Sequence, residues 1–341
     1  MRFGILITAL LPVVARAQDA HLCAYMTGDD ERHLRYAIAE EGFLFDEMAT
    51  NVVAASFDDG LVRDPHILKE ADGVYHLCAT VSWTNRAFTV WDSHDLVHWE
   101  NERLVDVAPP NATKTWAPEF VRDEELGDYL VYWTAEQNHD WSTAAIWCSR
   151  TKDFKEFSAP QVLYRDQSGD GVLDANITRA EGKYRLIFRR RGIWMAESDS
   201  VAGPYANVRK ICDDNVEGPF LWKLGVRSEE LGVEGWALMF DYYGGSKGFG
   251  VMTTKDFEKW ERVTNPKPPY YNSRVRFPKG IRHGCVLAIS KDEAMRIKAA
   301  FGGFRESLSL DGEWAFEVTG GRRAGEKTAI KVPSCWETLG L

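Results

Sequence analysis

The sequence predicts an all-β fold. Short runs that alternate apolar and polar residues, typical of strands with one buried face, recur between Gly, Asp-Gly and Asn turns, as in 74–80, 129–134, 184–189 and 236–241. Helical periodicity over ten or more residues is scarce. A short turn phrase also repeats along the chain at the spacing of one small sheet, which indicates a β-propeller.

The repeated phrase is a Ser or Thr followed closely by Asp and an apolar residue. Its copies are Ser93-His-Asp-Leu, Thr151-Lys-Asp-Phe and Thr254-Lys-Asp-Phe, with a degenerate copy at Ser198-Asp-Ser-Val. The steps between the successive aspartates at 95, 153, 199 and 256 are 58, 46 and 57 residues. That is the length of a four-stranded blade with variable loops.

Five inner strands can be placed on this frame. Four units open at Arg63-Asp-Pro-His-Ile, Trp116-Ala-Pro-Glu-Phe, Leu173-Asp-Ala-Asn-Ile and Val216-Glu-Gly-Pro-Phe. A fifth inner strand is drawn from 282–289, with outer partners taken from the N-terminal segments 21–26 and 34–45. Closure by both chain ends leaves no open sheet edge. We therefore predict a five-bladed propeller over residues 18–302.

The two ends of the chain are predicted to be separate segments. Residues 1–17 are typical of a cleaved signal peptide, because Arg2 precedes the apolar run 3–14 and Ala15-Arg16-Ala17 gives the small-x-small cleavage pattern. The mature protein is then expected to be secreted or periplasmic, with no membrane association. Residues 303–341 change pattern and are interpreted as a short β fragment of a truncated second module, with an ordinary C-terminal tail as the alternative.

Composition narrows the function classes. A net charge of −10 argues against nucleic acid, whose phosphates require a basic surface. The chain has 13 Trp and 12 Tyr, which suit stacking on sugar rings but also occur in β-rich cores. Its six cysteines lie far apart without a CxxC pair, which excludes the usual zinc and redox motifs.

Three of the strand openings carry a carboxylate beside a small or rigid neighbour: Asp64, Asp174 and Glu217. The first strands of all blades line one channel, so these side chains are expected to converge. Hydrolysis of a sugar bond needs two carboxyl groups across that bond, and a third can raise the pKa of the acid by repulsion. Considered alone, Asp64 would be interpreted as a turn residue and Glu217 as a solvated carboxylate. Asp174 ends an acidic, Gly-rich stretch that lacks EF-hand spacing.

Together the openings resemble glycoside hydrolase family 43, in that family's order and one to each blade. The motifs are Arg63-Asp64-Pro65, Trp116-Ala117-Pro118-Glu119, Asp174, Glu217-Gly218-Pro219 and Arg282-His283-Gly284. The resemblance covers residues 20–302 and implies an inverting glycosidase. It makes Asp64 the general base, Asp174 the orienting and pKa-raising carboxylate, and Glu217 the general acid. His283 matches a histidine near the channel axis that often holds a water or a calcium ion, so a structural Ca2+ is an option while no cofactor is required.

The resemblance favours an exo-acting α-L-arabinofuranosidase on plant polysaccharide side chains, with β-xylosidase and exo-galactanase as alternatives. Trp83, Trp116 and Trp133 are candidates for a sugar platform or for blade core, and Arg189 and His283 complete the predicted substrate-binding set. The expected partner is an oligo- or polysaccharide; the oligomeric state stays open. After residue 302, the segments 308–318 and 332–337 resemble the opening strands of the sugar-binding jelly roll of family 2 glycoside hydrolases.

Two other function classes compete. One is a catalytically silent carbohydrate-binding propeller, which would be expected to have lost one member of the Asp64, Asp174 and Glu217 set. The other is a β-fructosidase-like propeller that retains configuration. That class typically has Arg-Asp-Pro in a middle blade, whereas here this motif opens the first unit.

Overall fold

A computed structural model describes residues 20–57, 59–225, 235–242 and 248–302, together with the backbone of 312–317 and 327–332. The chain forms two compact units, Met1–Gly302 and Gly303–Leu341. The predicted signal peptide, residues 1–17, lies outside the described residues.

The first unit contains five four-stranded antiparallel sheets, each of which is one blade. Four strands come from the N-terminal segment: β1 (Ala20–Thr27), β2 (Asp30–Ala39), β3 (Phe43–Leu44) and β4 (Asp46–Ala49). Blade 1 contains β5 (Arg63–Lys69), β6 (Tyr75–Thr80), β7 (Ala87–Ser93) and β8 (Glu100–Asp106). Blade 2 contains β9 (Trp116–Arg122), β10 (Tyr129–Gln137), β11 (Asp140–Thr151) and β12 (Gln161–Tyr164).

The remaining blades follow in chain order. Blade 3 contains β13 (Leu173–Ala180), β14 (Lys183–Arg189), β15 (Ile193–Ser198) and β16 (Ala206–Cys212). Blade 4 contains β17 (Glu217–Lys223), β18 (Trp236–Asp241), β19 (Phe249–Thr254) and β20 (Glu261–Arg262). Near the end of the unit lie β21 (Val275–Arg276), which pairs in parallel with β3, and β22 (Ile281–Ile289).

Blade 5 is built from both ends of the unit, in the strand order β22-β1-β2-β4. The inner strands β5, β9, β13, β17 and β22 each contact the next, and β22 contacts β5 to close the ring. Each inner strand therefore pairs with the second strand of its own blade and contacts the inner strands of the two adjacent blades. The closed ring leaves no exposed sheet edge along the channel. The predicted five-bladed propeller is confirmed, including the fifth blade closed by the chain ends.

The repeated phrase forms the turn between the third and fourth strands of a blade. Its Ser or Thr side-chain oxygen accepts a hydrogen bond from the backbone N–H three residues later, at 2.8–2.9 Å, in the turns at Ser93, Thr151 and Thr254. The residue that donates this bond has a positive φ and a buried side chain: Leu96, Phe154 and Phe257. The phrase recurs because each outer hairpin needs one polar turn and one apolar anchor.

Large aromatic side chains fill the space between neighbouring blades. Trp133, on β10, has no exposed surface, and its ring lies 6.2 Å from that of Phe88. Its assignment as a candidate sugar platform is therefore wrong, and the alternative of blade core holds. The alternation of apolar and polar residues along a strand does not show whether a side chain packs between two blades or faces the mouth of the channel.

One helix, α1 (Lys291–Phe301), departs from the expectation of strands alone. Ser290 caps it: the Ser290 side chain accepts from the backbone of Glu293, and the Glu293 side chain accepts from the backbone of Ser290. Its apolar pattern is weak because only Ala294 and Ile297 are buried. Among the described residues, no helix is long and apolar enough to span a bilayer.

The second unit contains an antiparallel hairpin of β23 (Gly312–Glu317) and β24 (Lys327–Val332). The resemblance of this segment to a family 2 jelly roll stays a prediction.

Candidate active site

Each inner strand begins with an irregularity in its pairing that reorients one residue. The ladder register shifts in all five blades, and the residue at the shift has a φ between 27° and 55°: Asp64, Ala117, Asp174, Gly218 and His283. Such bulges redirect side chains, commonly next to active sites. A non-glycine residue in this conformation costs about 1–3 kcal/mol, which the surrounding structure must offset.

The redirected residues surround a small cavity inside the ring of inner strands. It is lined by Asp64, Pro65, Ala117, Glu119, Asp174, Gly218, Pro219, His283 and Gly284, and its volume is about 20 Å³. A single water needs about 10–15 Å³. All five blades therefore place a titratable group, or in blade 4 the backbone neighbour of one, around a space of one water molecule.

His283 is at the centre of the carboxylates. Its Nδ1 lies 2.9 Å from Asp64 Oδ1, and its Nε2 lies 3.5 Å from Glu217 Oε1 and 3.9 Å from Asp174 Oδ2. Burial by itself lowers the pKa of the imidazole, but the carboxylates of Asp64 and Asp174 overcome it and hold the His283 pKa well above its ordinary value. His283 is therefore an imidazolium, with Asp64 and Glu217 next to opposite ring nitrogens.

Asp64 is ionised in this arrangement. Burial opposes its charge, but His283 and Arg63 together lower the Asp64 pKa well below its usual range. Thr80 Oγ1 donates a hydrogen bond to Asp64 Oδ2 at 2.7 Å, and the same hydroxyl oxygen accepts from Ala117 N at 2.8 Å. A fixed, ionised carboxylate has the protonation state of a general base, while its lowered pKa makes it a weaker acceptor of a proton from water.

Asp174 and Glu217 have opposite pKa shifts. Burial, reinforced by the charges of Glu217 and Asp64, raises the Asp174 pKa to about 6, while Gly218 N donates to Asp174 Oδ2 at 3.0 Å. Burial also acts to raise the pKa of Glu217, but His283 and Arg282 reverse this and lower it. The two cations that contact Glu217 set the direction of its net shift, and the expectation that the charge of Asp174 raises the Glu217 pKa stays a prediction.

Arg282 and Asp241 form a further pair that the sequence reasoning did not single out as functional. Arg282 binds both Glu217 and Asp241 through its guanidinium. Asp241 has no exposed surface, and its Oδ2 also accepts from His283 N at 3.3 Å. Asp241 therefore fixes the two cations next to Glu217.

An aromatic wall stands beside the cavity. The rings of Trp83 and Trp116 lie 5.9 Å apart at right angles, and Trp141 lies 6.5 Å from Trp116. Trp83 is 47% exposed and Trp141 37% exposed. Trp116 immediately precedes Ala117 in the cavity wall, and the Arg63 guanidinium lies 3.5 Å above the Trp83 ring. The structure thus brings Trp83 and Trp116 together, and it adds Trp141.

Arg189 lies at the channel end of β14, where it pairs with Leu173, the residue before Asp174. It is not among the described residues that line the cavity. Its predicted contact with substrate stays a prediction.

The residues around His283 do not fit a directly bound calcium ion. Ligand atoms of Asp174, Glu217 and His283 lie within 4.8 Å of one another, but Ca2+ prefers about 6–8 oxygen ligands. A protonated imidazole has no lone pair to offer. A calcium ion held at His283 through water stays a prediction, and we derive no step through calcium.

A family comparison identifies the propeller. The family model described as "Probable glycosyl hydrolase domain", related to glycosyl hydrolase family 43, matches residues 17–295. The chain belongs to this family. The family 43 resemblance of the strand openings is therefore confirmed at the level of a family 43-related domain.

Several characterised proteins are similar to this family 43-related chain. The α-L-arabinofuranosidase of Bifidobacterium longum subsp. longum is 25% identical over 191 residues, which are 47% of this chain and only 17% of that protein. An α-L-arabinofuranosidase structure from Lactobacillus brevis has a TM-score of 0.49 at 15% identity, over 63% of this chain and 74% of that chain. An exo-β-1,3-galactanase from Phanerochaete chrysosporium has a TM-score of 0.49 at 11% identity, over 63% of this chain and 52% of that one.

Gly218 is the inner-strand residue whose replacement tests the cavity packing most directly. It has a φ of 55°, and an added Cβ would lie 3.0 Å from His283 Cδ2. Gly218→Ala is therefore expected to destabilise the fold by about 1–3 kcal/mol and to displace His283, as measured by chemical denaturation. Gly182→Ala is the matched control, because Gly182 also has a positive φ while a Cβ there meets nothing within 4 Å. Equal losses in the two variants would show that the contact with His283 is unimportant.

Proposed function

We propose that this protein is a secreted, exo-acting and inverting glycoside hydrolase, an α-L-arabinofuranosidase that removes side chains from plant polysaccharides. The observation that carries the proposal is the convergence of Asp64, Asp174 and Glu217 on His283, from three different blades. Hydrolysis of a glycosidic bond needs two carboxyl groups on opposite sides of that bond. The His283 ring lies between Asp64 and Glu217, which supports the spacing of roughly 6.5–9.5 Å that leaves room for water in an inverting enzyme.

We assign the general base to Asp64. It is the carboxyl with the lowered pKa that also lies in the cavity wall, so it is ionised at neutral pH. The cavity has the volume of one water. A water held there would lie against Asp64, which could accept its proton as the oxygen attacks the anomeric carbon.

We assign the general acid to Glu217. Its side chain is 15% exposed, compared with 5% for Asp174 and 7% for Asp64, so it is the carboxyl that a leaving oxygen reaches most easily. A bound sugar would bury Glu217 further and compete with it for Arg282. Both effects raise the Glu217 pKa and favour the protonated form that an acid requires.

The sugar-binding part of the proposal rests on the aromatic wall. Trp83 and Trp141 present exposed ring surface beside Trp116, which precedes Ala117 in the cavity wall, and Trp and Tyr rings stack on sugar faces. The arabinofuranosidase assignment is supported by the name of the Bifidobacterium relative. β-Xylosidase and exo-galactanase are the alternatives. We also propose that the reaction needs no cofactor, because the three carboxylates with His283 supply the acid, the base and the electrostatics.

A panel of aryl glycosides tests the function directly. We expect the purified protein to release the chromophore from an α-L-arabinofuranoside faster than from a β-xyloside or β-galactoside, and proton NMR to show product of inverted configuration first. A preference for one of the other two sugars would change the substrate assignment alone. Activity on none of them, together with saturable binding of an arabino-oligosaccharide, would favour the catalytically silent propeller.

A further inference from the structure

Glu119 is a carboxyl group in the cavity wall that the proposed acid and base do not use. It lies on β9, two residues after Ala117, and it lines the same water-sized cavity as Asp64, Asp174 and His283. It belongs to a second layer of side chains, which lies two residues further along each inner strand than the positive-φ residues of the cavity. The equivalent residues in the other blades are His66, Asn176, Phe220 and Cys285.

The second layer connects neighbouring blades through side-chain contacts with the next inner strand. His66 Nδ1 accepts from Phe120 N at 3.2 Å. Asn176 Oδ1 accepts from Leu221 N at 3.1 Å, and Cys285 Sγ accepts from Ile67 N at 3.3 Å. Between blades 2 and 3, the link is made by Glu119 together with a tyrosine.

Both donors to Glu119 are neutral and both bind one oxygen. Tyr132 OH donates to Oε2 at 2.5 Å, and Asn176 Nδ2 donates to the same atom at 2.9 Å. Tyr132 OH in turn accepts from Ile177 N at 2.8 Å. Oε2 thus behaves as a carbonyl oxygen with two donors, and a proton on Oε1 completes a neutral carboxylic acid.

These contacts determine where the catalytic carboxylates stand. Asn176 is two residues from Asp174 on β13, and its other bond reaches β17, the strand that begins with Glu217. Through Asn176 and Tyr132, Glu119 connects β9, β10 and β13 to β17. A loss of this connection would let the starts of β13 and β17 move relative to each other.

The surroundings of Glu119 disfavour a charge on it. Burial raises the Glu119 pKa to about 8 and outweighs the hydrogen bonds from Tyr132 and Asn176, which lower it; Asp174 adds to the rise while His283 opposes it. The titratable groups that face it from the adjoining strands are Asp64, Cys78, Tyr132, Asp174, His283 and Cys285. Only His283 among these is cationic, and it is already shared among four other carboxylates, those of Asp64, Asp174, Glu217 and Asp241.

We propose that Glu119 is a positioning residue that works as a neutral carboxylic acid, holding Asn176 and Tyr132 so that Asp174 and Glu217 keep their places. This inference rests on the proposed function, because the rate that Glu119 is expected to influence is the rate of glycoside hydrolysis. Ionisation of Glu119 would place a further negative charge next to Asp174 and weaken the site. Ionisation of Glu119 should therefore contribute to the fall in the hydrolysis rate at alkaline pH.

Glu119→Gln is the decisive variant, because a glutamine amide reproduces the shape and the accepting oxygen of a protonated glutamate. We expect kcat/KM of Glu119→Gln to stay within about threefold of the wild type at pH 6, with the loss of rate near pH 8 diminished. Glu119→Ala removes the acceptor for Tyr132 and Asn176 and should lose tenfold or more. A fall in Glu119→Gln as large as that in Glu119→Ala would overturn the proposal, since a charged carboxylate would then be needed.

A stability measurement decides the protonation state without any substrate. A group whose folded pKa is about 8 and whose ordinary value is 4.5 gives stability that is full below about 4.5 and is lost as pH rises to about 8. The Tm of Glu119→Gln should therefore rise relative to the wild-type Tm between pH 5 and 8. If the difference between the two Tm values stays the same from pH 5 to 8, Glu119 is not neutral in the folded protein. This test holds even if the protein hydrolyses none of the glycosides tested.

Glu197→Gln provides the matched control for the stability measurement. Glu197 pairs with Arg185 and Arg209 on blade 3, and although burial opposes the charge, these arginines lower its pKa. A group of this kind gives stability that is present above its ordinary pKa and lost only as the pH falls through the folded pKa. The Tm of Glu197→Gln should therefore lie below that of the wild type by a nearly constant amount from pH 5 to 8.

Discussion

Replacement of Asp64 with Asn is expected to lower kcat/KM by about 10²–10⁴-fold on every glycoside that the wild-type protein hydrolyses, the range typical of a lost general base. The asparagine keeps the shape of the side chain and tolerates the positive φ of this position better than other non-glycine residues. It can still accept the hydrogen bond from Thr80. Only the negative charge that receives the proton is lost.

The leaving group should not change this result. Water must be activated whether a good or a poor leaving group departs, so activated aryl glycosides and natural oligosaccharides should lose rate equally. Thermal unfolding must show that the variant is folded, because Asp64 also pairs with His283. Rates near those of the wild type on both substrates would exclude Asp64 as the base and favour the binding-module alternative.

Asp72→Asn is the matched control for Asp64→Asn. Asp72 lies in the same blade, at the turn between β5 and β6, where it is exposed and accepts from Val74 N at 3.1 Å. Asparagine can keep that bond, so the control should behave as the wild type in both rate and Tm. Comparing the two variants distinguishes the effect of losing the charge of Asp64 at the channel from the effect of losing any one negative charge in this blade.

The blade count could be predicted from the sequence because each blade repeats its requirements. Every outer hairpin needs a polar turn with an apolar anchor, so Ser93, Thr151 and Thr254 appear at blade spacing. Convergence follows from the same regularity, since Asp64, Asp174 and Gly218, the neighbour of Glu217, hold equivalent places in inner strands that meet at one channel. The structure places all three carboxylates next to the His283 ring.

The charge balance of the site could not be predicted in this way. The pKa of Glu217 depends on Arg282 and His283, and Arg282 is held by Asp241, which comes from the second strand of its blade. Nothing in a short motif shows that such a side chain reaches the channel. Glu119 was part of a recognised motif, but its neutral state depends on Tyr132 and Asn176, which come from two other strands.

Glu217→Gln is expected to separate substrates by their leaving groups. A sugar alkoxide cannot depart without a proton, so hydrolysis of natural oligosaccharides should fall by about 10²–10⁴-fold when the acid is removed. An activated aryl oxygen departs without help, so the rate on aryl glycosides should fall far less. Rates on a series of aryl glycosides of increasing leaving-group pKa measure this directly, and the variant should show the steeper dependence. Glu125→Gln, in an exposed turn of blade 2, is the control and should leave both rates unchanged.

The same series decides between Glu217 and Asp174 as the proton donor. In the structure without substrate the higher pKa, about 6, belongs to Asp174, while Arg282 and His283 hold that of Glu217 low. If Glu217 becomes the acid when a sugar displaces Arg282, Asp174→Asn should lower the Glu217 pKa by removing a neighbouring negative charge. The alkaline limb of the rate on natural substrates should then move to lower pH, with little dependence on the leaving group. A steep dependence in Asp174→Asn, with none in Glu217→Gln, would instead make Asp174 the acid.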